Sequence, residues 1–245
     1  MKGLAAILAL FGSAPAVAES PCEDVSFDGA SFTVCAVDPA QEEVRLFLYD
    51  AEGAPFASFH AVNDALASSG RTLGVAMNAG MYHPDRSPVG LYVEEGDQAM
   101  RLVTSAGPGN FGLLPNGVLC LGVGRAEIVE SRAFAAEPPA CTFATQSGPM
   151  LVIEGALHSR LLPDSDSVNI RNGIGVDAEG RTAWLAISED RVNFHHFARL
   201  FRDGLGARNA LYFDGKISRL HDSTTGRSDF GLPMGPIIGT VVAAG

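Results

Sequence analysis

A chain of 245 residues with 28 acidic and only 17 basic side chains carries a net charge of −11. That balance argues against nucleic acid as a partner, because phosphate backbones are held by a basic face. With 47% hydrophobic residues and no low-complexity tract, the chain is long enough for one well-filled core.

Residues 1–18 read as a signal peptide: Lys2 supplies the positive start, residues 4–11 the apolar run, and Ala16-Val17-Ala18 the cleavage signal. The run is too short to span a bilayer. Cleavage after Ala18 leaves one domain, residues 19–245, that is exported (periplasmic or secreted) and not a transmembrane protein. Cys22, Cys35, Cys120 and Cys141 are scattered singly, with no zinc-type Cys-x-x-Cys pair. Of their three possible pairings, the sequence-local ones are expected, Cys22–Cys35 and Cys120–Cys141.

Strand patterns cover residues 31–37 and 44–49, with Asp38-Pro39 between them as a hairpin signal. Helical spacing covers 56–66. A buried strand at 72–77 runs into Asn78-Ala79-Gly80-Met81-Tyr82. Further strands are expected at 89–94, 111–115, 118–121 and 150–153. The turns Glu95-Gly96, Asn116-Gly117 and Glu154-Gly155 suit positive backbone angles. Residues 134–139 read as a surface connection and 162–168 as an exposed loop.

From Arg171 the pattern is strand, helix, strand. Residues 171–177 and 183–187 are strands. Phe194, Phe197, Leu200, Phe201 and Leu205 then form one apolar helical stripe. Asn193 is placed to cap its start, and Gly204 or Gly206 its end. Residues 210–213 follow as a buried strand ending on Asp214-Gly215, and 237–244 as a last strand. Two strands joined by such a helix are expected to lie parallel with a right-handed crossover, with ligands at their carboxyl ends. The fold class is thus α+β or mixed α/β: one sheet-dominated domain of many short strands and few helices, with one strand-helix-strand crossover unit.

Four strand ends carry able chemistry. Asn78 offers donor and acceptor, and Gly80 allows close backbone approach. Ser147-Gly148 could form a nest of amides. Arg171, with Asn172 and Gly173 beside it, suits a grip on phosphate or an ion pair with Asp177 or Glu179. Asp214 leaves an apolar strand end, where burial tunes a carboxyl; Asp214-Gly215 alone could equally be a hairpin turn. The six histidines make no metal pattern, although His83, five residues after Asn78, is near enough along the chain to reach the same pocket. No metal and no cofactor is expected.

In order along the chain stand Asn78-Ala79-Gly80-Met81-Tyr82-His83-Pro84 with Ser87-Pro88-Val89-Gly90-Leu91-Tyr92, then Ala144-Thr145-Gln146-Ser147-Gly148-Pro149-Met150-Leu151. Arg171-Asn172-Gly173-Ile174-Gly175-Val176, Tyr212-Phe213-Asp214-Gly215 and Gly235-Pro236-Ile237-Ile238-Gly239 follow. Together these resemble the phosphodiester glycosidase family (NAGPA-type, uncovering-enzyme-like), in its small exported bacterial branch. The resemblance implies a hydrolase, a glycosidase that cleaves a sugar from a sugar-1-phosphodiester. The partner would be a sugar-phosphate small molecule or an envelope glycan. It implies Asn78, Arg171 and Asp214 as catalytic, and Gly80, Tyr82, Ser147, Gly148, Asn172, Gly215 and Ser218 as substrate-binding. Asp214, Gly215 and Ser218 match the family's Asp-Gly-Gly-Gly-Ser motif, with Lys216 and Ile217 in place of two glycines. That departure favours the alternative, an exported protein that binds a glycan or phosphosugar without cleaving it.

Overall fold

Strands of alternating or continuous burial build most of this protein, and they belong to three sheets. In the computed structural model, residues 20–245 are described; the signal-peptide reading of 1–18 lies outside the described residues. In chain order come β1 (Cys22–Phe27), β2 (Ala30–Val37), β3 (Glu43–Phe47), α1 (Phe59–Ala67) and β4 (Arg71–Asn78). Next are β5 (Tyr92–Glu94), β6 (Asp97–Met100), β7 (Gly117–Gly122), β8 (Arg125–Glu130), α2 (Ser131–Ala136) and β9 (Phe143–Ser147). Then follow β10 (Met150–Ile153), β11 (Ala156–Leu157), β12 (Asn172–Val176), β13 (Ala183–Ser188), α3 (Phe194–Arg199) and a π-helical turn over Leu200–Gly204. The chain finishes with β14 (Asn209–Asp214), β15 (Leu220–Asp222), β16 (Arg227–Ser228) and β17 (Ile237–Ala243).

One sheet has seven strands in the order β1-β2-β13-β12-β14-β10-β11; the others run β16-β15-β4-β17-β3 and β6-β5-β9-β7-β8. The sheet-dominated mixed class is as expected. The crossover needs refinement. β13 and β14 both pair antiparallel with β12, so they are parallel to each other but lie on either side of it. The start of β12 and the end of β14 therefore share one edge of the sheet.

Two other expectations are corrected. Strands 31–37 and 44–49 exist, yet they make no hairpin: β2 is already paired on both edges, with β1 and β13, and β3 pairs with β17 in another sheet. Residues 111–115 are not a strand, because the buried Asn116 side chain takes the Phe111 carbonyl at 3.0 Å and holds the segment as a loop. Of residues 134–139, the first three end α2, which Glu130 caps through the amides of Arg132 and Ala133, and 137–139 form the surface connection.

The layers follow from side-chain alternation. On one face of the large sheet, Phe32, Val34, Ala186, Ala210 and Tyr212 pack against Phe197, Leu200 and Phe201 of the helical segment. On the other, Ile174, Leu185, Leu211 and Phe213 join Leu46, Met77 and Leu119 from the two smaller sheets in the main core. Gly173 and Gly175 are where the helix layer comes closest: a Cβ there would stand 3.3 Å from Phe197 and 2.6 Å from Phe201. Asn193 caps α3 by accepting from the His196 amide at 2.8 Å.

Both local disulfides are present, Cys22–Cys35 across the β1–β2 register and Cys120–Cys141 between β7 and the entry to β9. Replacing Cys120 and Cys141 together by alanine is expected to cost about 3 kcal/mol through the freed unfolded chain. A melting temperature lowered by about 6–12 °C under oxidising conditions would show it. An unchanged melting temperature would mean that native packing alone holds this corner. Among the described residues, no helix is long and apolar enough to cross a membrane.

Candidate functional site

The site is assembled where β4, from one five-stranded sheet, meets the shared edge of β12 and β14. Asn78 ends β4 and Asn172 begins β12; both are wholly buried, so their amides need partners inside the protein. They find each other. Asn172 Nδ2 donates to the Asn78 carbonyl at 2.8 Å and to Asn78 Oδ1 at 3.1 Å, and Asn78 Nδ2 donates to Asn172 Oδ1 at 3.3 Å. The Asp214 amide also donates to Asn172 Oδ1 at 3.1 Å, and the Arg219 amide to Asn78 Oδ1 at 2.9 Å. Ser218 Oγ lies within 3.2 Å of the Asp214 carbonyl and 3.1 Å of the Ile170 carbonyl. Five expected residues, Asn78, Asn172, Asp214, Gly215 and Ser218, thus belong to one hydrogen-bonded unit.

Asp214 is the chemically distinctive member. Its Oδ1 accepts from the amides of Gly215 at 2.6 Å and Lys216 at 2.7 Å, which fixes the loop and the carboxyl together. Burial pushes its pKa above the usual carboxylate range; those amides and the Lys216 charge oppose the rise without cancelling it. The carboxyl opens on a cavity of about 460 Å³. Its polar wall has Lys216, Arg86, His83 and Asn110, and Asp214 is the one carboxylate among the described lining residues. Its apolar lining is made by Met81, Val89, Ile217 and Leu232, with Tyr82. A groove of about 540 Å³ at the far end of the large sheet holds Asp177 and the Arg208–Glu154 ion pair. Its Glu154 is held below the usual range by Asn209 and Arg208; it lacks the feature that marks Asp214.

The other expected residues take varied places. Tyr82 lines the cavity, with its hydroxyl 3.3 Å from the Pro233 carbonyl. Ser147 is buried and donates to the Phe213 carbonyl at 3.4 Å, a prop beneath the Asp214 strand. Gly80 and Gly148 lie against backbone: a Cβ would stand 2.7 Å from the Gln146 carbonyl at Gly80, and 3.1 Å from the Phe111 carbonyl at Gly148. Neither is on the cavity wall.

Arg171 is not there either. It precedes Asn172 and so faces the opposite side of the sheet, toward the helix layer. There the residue is 1% exposed, and its guanidinium lies 3.7 Å from the Phe194 ring centre and donates to the carbonyls of Val192 at 2.8 Å and Ser167 at 2.7 Å. Its ion pair with Asp177 or Glu179 does not form. Arg171 reaches the site only through Tyr212, whose hydroxyl lies 2.3 Å from where a Gly215 Cβ would be. Glycine at 215 is thus the space into which that hydroxyl fits.

Sequence reasoning reached His83, but not Arg86, Asn110 or Leu232. Arg86 lies within the Asn78-to-Tyr92 motif and could have been weighed with it, since its guanidinium sits 5.4 Å from the Tyr82 ring centre. Asn110 and Leu232 stand in loops with no periodic signal.

Comparison with known proteins bears on the fold and the family. A solved structure of the zebrafish N-acetylglucosamine-1-phosphodiester alpha-N-acetylglucosaminidase catalytic domain, auto-inhibited by its pro-peptide, superposes with a TM-score of 0.61 at 13% identity, covering 89% of this chain and 81% of that one. A hypothetical protein from Synechocystis gives 0.56 at 15% identity, over 90% of this chain and 61% of its own. At those identities the likeness is one of fold. In sequence, the uncharacterised Escherichia coli (strain K12) protein YigE is 34% identical over 201 residues, 81% of this chain and 78% of YigE. The family model described as phosphodiester glycosidase matches residues 71–220, which carry β4, β12, β14 and Asp214. The chain belongs to the phosphodiester glycosidase family.

Proposed function

We propose that this protein hydrolyses the bond between the anomeric carbon of a sugar and a phosphodiester, outside the cytoplasm. What carries the reading is Asp214, a half-buried carboxyl with a raised pKa, opening on a cavity whose rim bears Lys216 and Arg86. A phosphate monoester is a good leaving group, so the single carboxylate on the wall suffices where ordinary glycosidases need an acid and a second carboxylate. Positive charge develops on the sugar ring as the carbon–oxygen bond breaks, and ionised Asp214 stabilises it. Water adds its oxygen to the anomeric carbon as the bond from that carbon to the phosphate oxygen breaks, and the water proton passes to the departing phosphate, which leaves as a monoester. Lys216 and Arg86 hold its charge. Asn78 and Asn172 keep Asp214 in place, while Arg171 supports the same sheet edge from the helix side.

The test is sugar release from a panel of sugar-1-phosphodiesters. Lys216→Ala and Arg86→Ala are each expected to raise KM about 10-fold, as loss of one charge-assisted contact does. The effect should shrink at high salt, since both side chains stand at an open rim. An unchanged KM in both variants removes them from the phosphate site. Tight binding with no sugar released over hours would instead leave an exported phosphosugar-binding protein.

A further inference from the structure

The loop from Asp229 to Met234 presents apolar side chains to solvent beside the cavity. Phe230 is 94% exposed and Leu232 64% exposed. Single exposed apolar residues are ordinary; these two differ in how they are held. At one foot, the Leu220 amide donates to Asp229 Oδ2 at 2.9 Å and the Asp229 amide to the Leu220 carbonyl at 3.0 Å. At the other, the Pro233 carbonyl meets the Tyr82 hydroxyl and the Met234 amide donates to the Ala57 carbonyl at 2.9 Å, with Met234 itself buried. Between the feet, Gly231 has φ of 141° and rests on the Arg219 guanidinium, which a Cβ would approach to 2.6 Å. The Arg219 amide is in turn bound to Asn78. The fold thus anchors both ends of this loop to the site while leaving its apolar tip in water.

Leu232 is part of the cavity wall, where it stands with Ile217, Met81 and Val89. Ile217 is the neighbour of Lys216, so cationic and apolar lining adjoin within one residue. A substrate whose reacting bond sits at Asp214 and whose phosphate sits at Lys216 meets apolar lining at Ile217 and Leu232 for its remaining group.

Resting on the glycosidase reading above, we propose that the group on the far side of the phosphate is a long alkyl or prenyl chain. It lies against Ile217 and Leu232 and leaves the cavity past Phe230. The substrate class is then a sugar joined through phosphate to a lipid chain.

The proposal can be tested without turnover, by calorimetric titration of the full chain with octyl phosphate (below its micelle concentration) and with methyl phosphate. Burying about half of the seven added methylenes predicts octyl phosphate binding about 100-fold tighter. Leu232→Ser and Phe230→Ser, both at exposed positions, should each cut that ratio several-fold. Val123→Ser, at a 97% exposed position in the β7–β8 turn, should not alter it. Affinities equal within threefold, or a ratio that survives both loop substitutions in folded protein, overturn the proposal. A chain preference that responds to Leu232 and Phe230 upholds it even if no sugar-1-phosphodiester is cleaved, in which case the glycosidase reading alone falls.

Discussion

Asp214→Asn is expected to lower kcat/KM for sugar release by about 10³-fold, the scale on which one charge-stabilising group acts. It should do so without unfolding the protein. The asparagine keeps an Oδ1 for the Gly215 and Lys216 amides, so the loop retains the two hydrogen bonds that shape it. What disappears is the charge. Because burial raises the folded-state pKa of Asp214, the native protein holds a proton there more firmly than the unfolded chain does. Its contribution to stability is therefore full below the unfolded carboxyl value of about 3.9 and is lost as pH climbs through the raised folded value. Asparagine has no such loss. The variant should melt at or above the wild-type temperature at pH 7, and its advantage should shrink toward pH 4. Wild-type kcat/KM should show an acid limb above the ordinary aspartate range, as a carboxylate that must be ionised requires. Wild-type turnover in the variant would remove Asp214 from the chemistry. A variant less stable at pH 7 than at pH 4, relative to wild type, would contradict the burial that sets its pKa.

The contrast between neighbours on β12 shows what the sequence disclosed and what it hid. Each strand that shapes the site was legible from local pattern: 72–77, 171–177 and 210–213 all appear, ending on the residues expected to matter. Pairing was less legible, because it depends on edges left free by strands far away in the chain. β1 takes one edge of β2 and β13 the other, so the apparent hairpin with β3 had nowhere to form. Arg171 was grouped with Asn172 by adjacency, yet consecutive strand residues face opposite layers. The clue lay in Gly173 and Gly175. They share Arg171's parity and make room for Phe197 and Phe201, which assigns Arg171 to the helix side. Asn172 shares parity with Ile174 and Val176, and so with the core and Asn78. Leu232 and Asn110 gave no such pattern, since their loops are set by tertiary anchors.

Asn172→Ala is the substitution expected to cost most in stability, about 3–4 kcal/mol, with at least a 100-fold loss in kcat/KM. At this wholly buried position, alanine strips a partner from the Asn78 carbonyl, from both ends of the Asn78 amide, and from the backbone N–H of Asp214. No water-filled surface is at hand to replace them. Aspartate would serve no better: it supplies acceptors alone where the site also asks for a donor, and it places a second carboxylate beside Asp214. Only an amide answers both demands, which is why this position and Asn78 carry the same side chain. The two should therefore act as a unit. Asn78→Ala alone leaves the Arg219 amide unpaired and takes the side-chain partner from Asn172, which keeps the residue-78 carbonyl and the Asp214 amide, and the double variant orphans few groups beyond either single one. A double-mutant cycle by urea unfolding should show the double loss falling short of the sum by about 1–2 kcal/mol. Additive losses would mean that the two amides are independently supported. Asp214 would then owe its position to its own loop amides, and Asn172→Ala protein that still folds should keep its turnover.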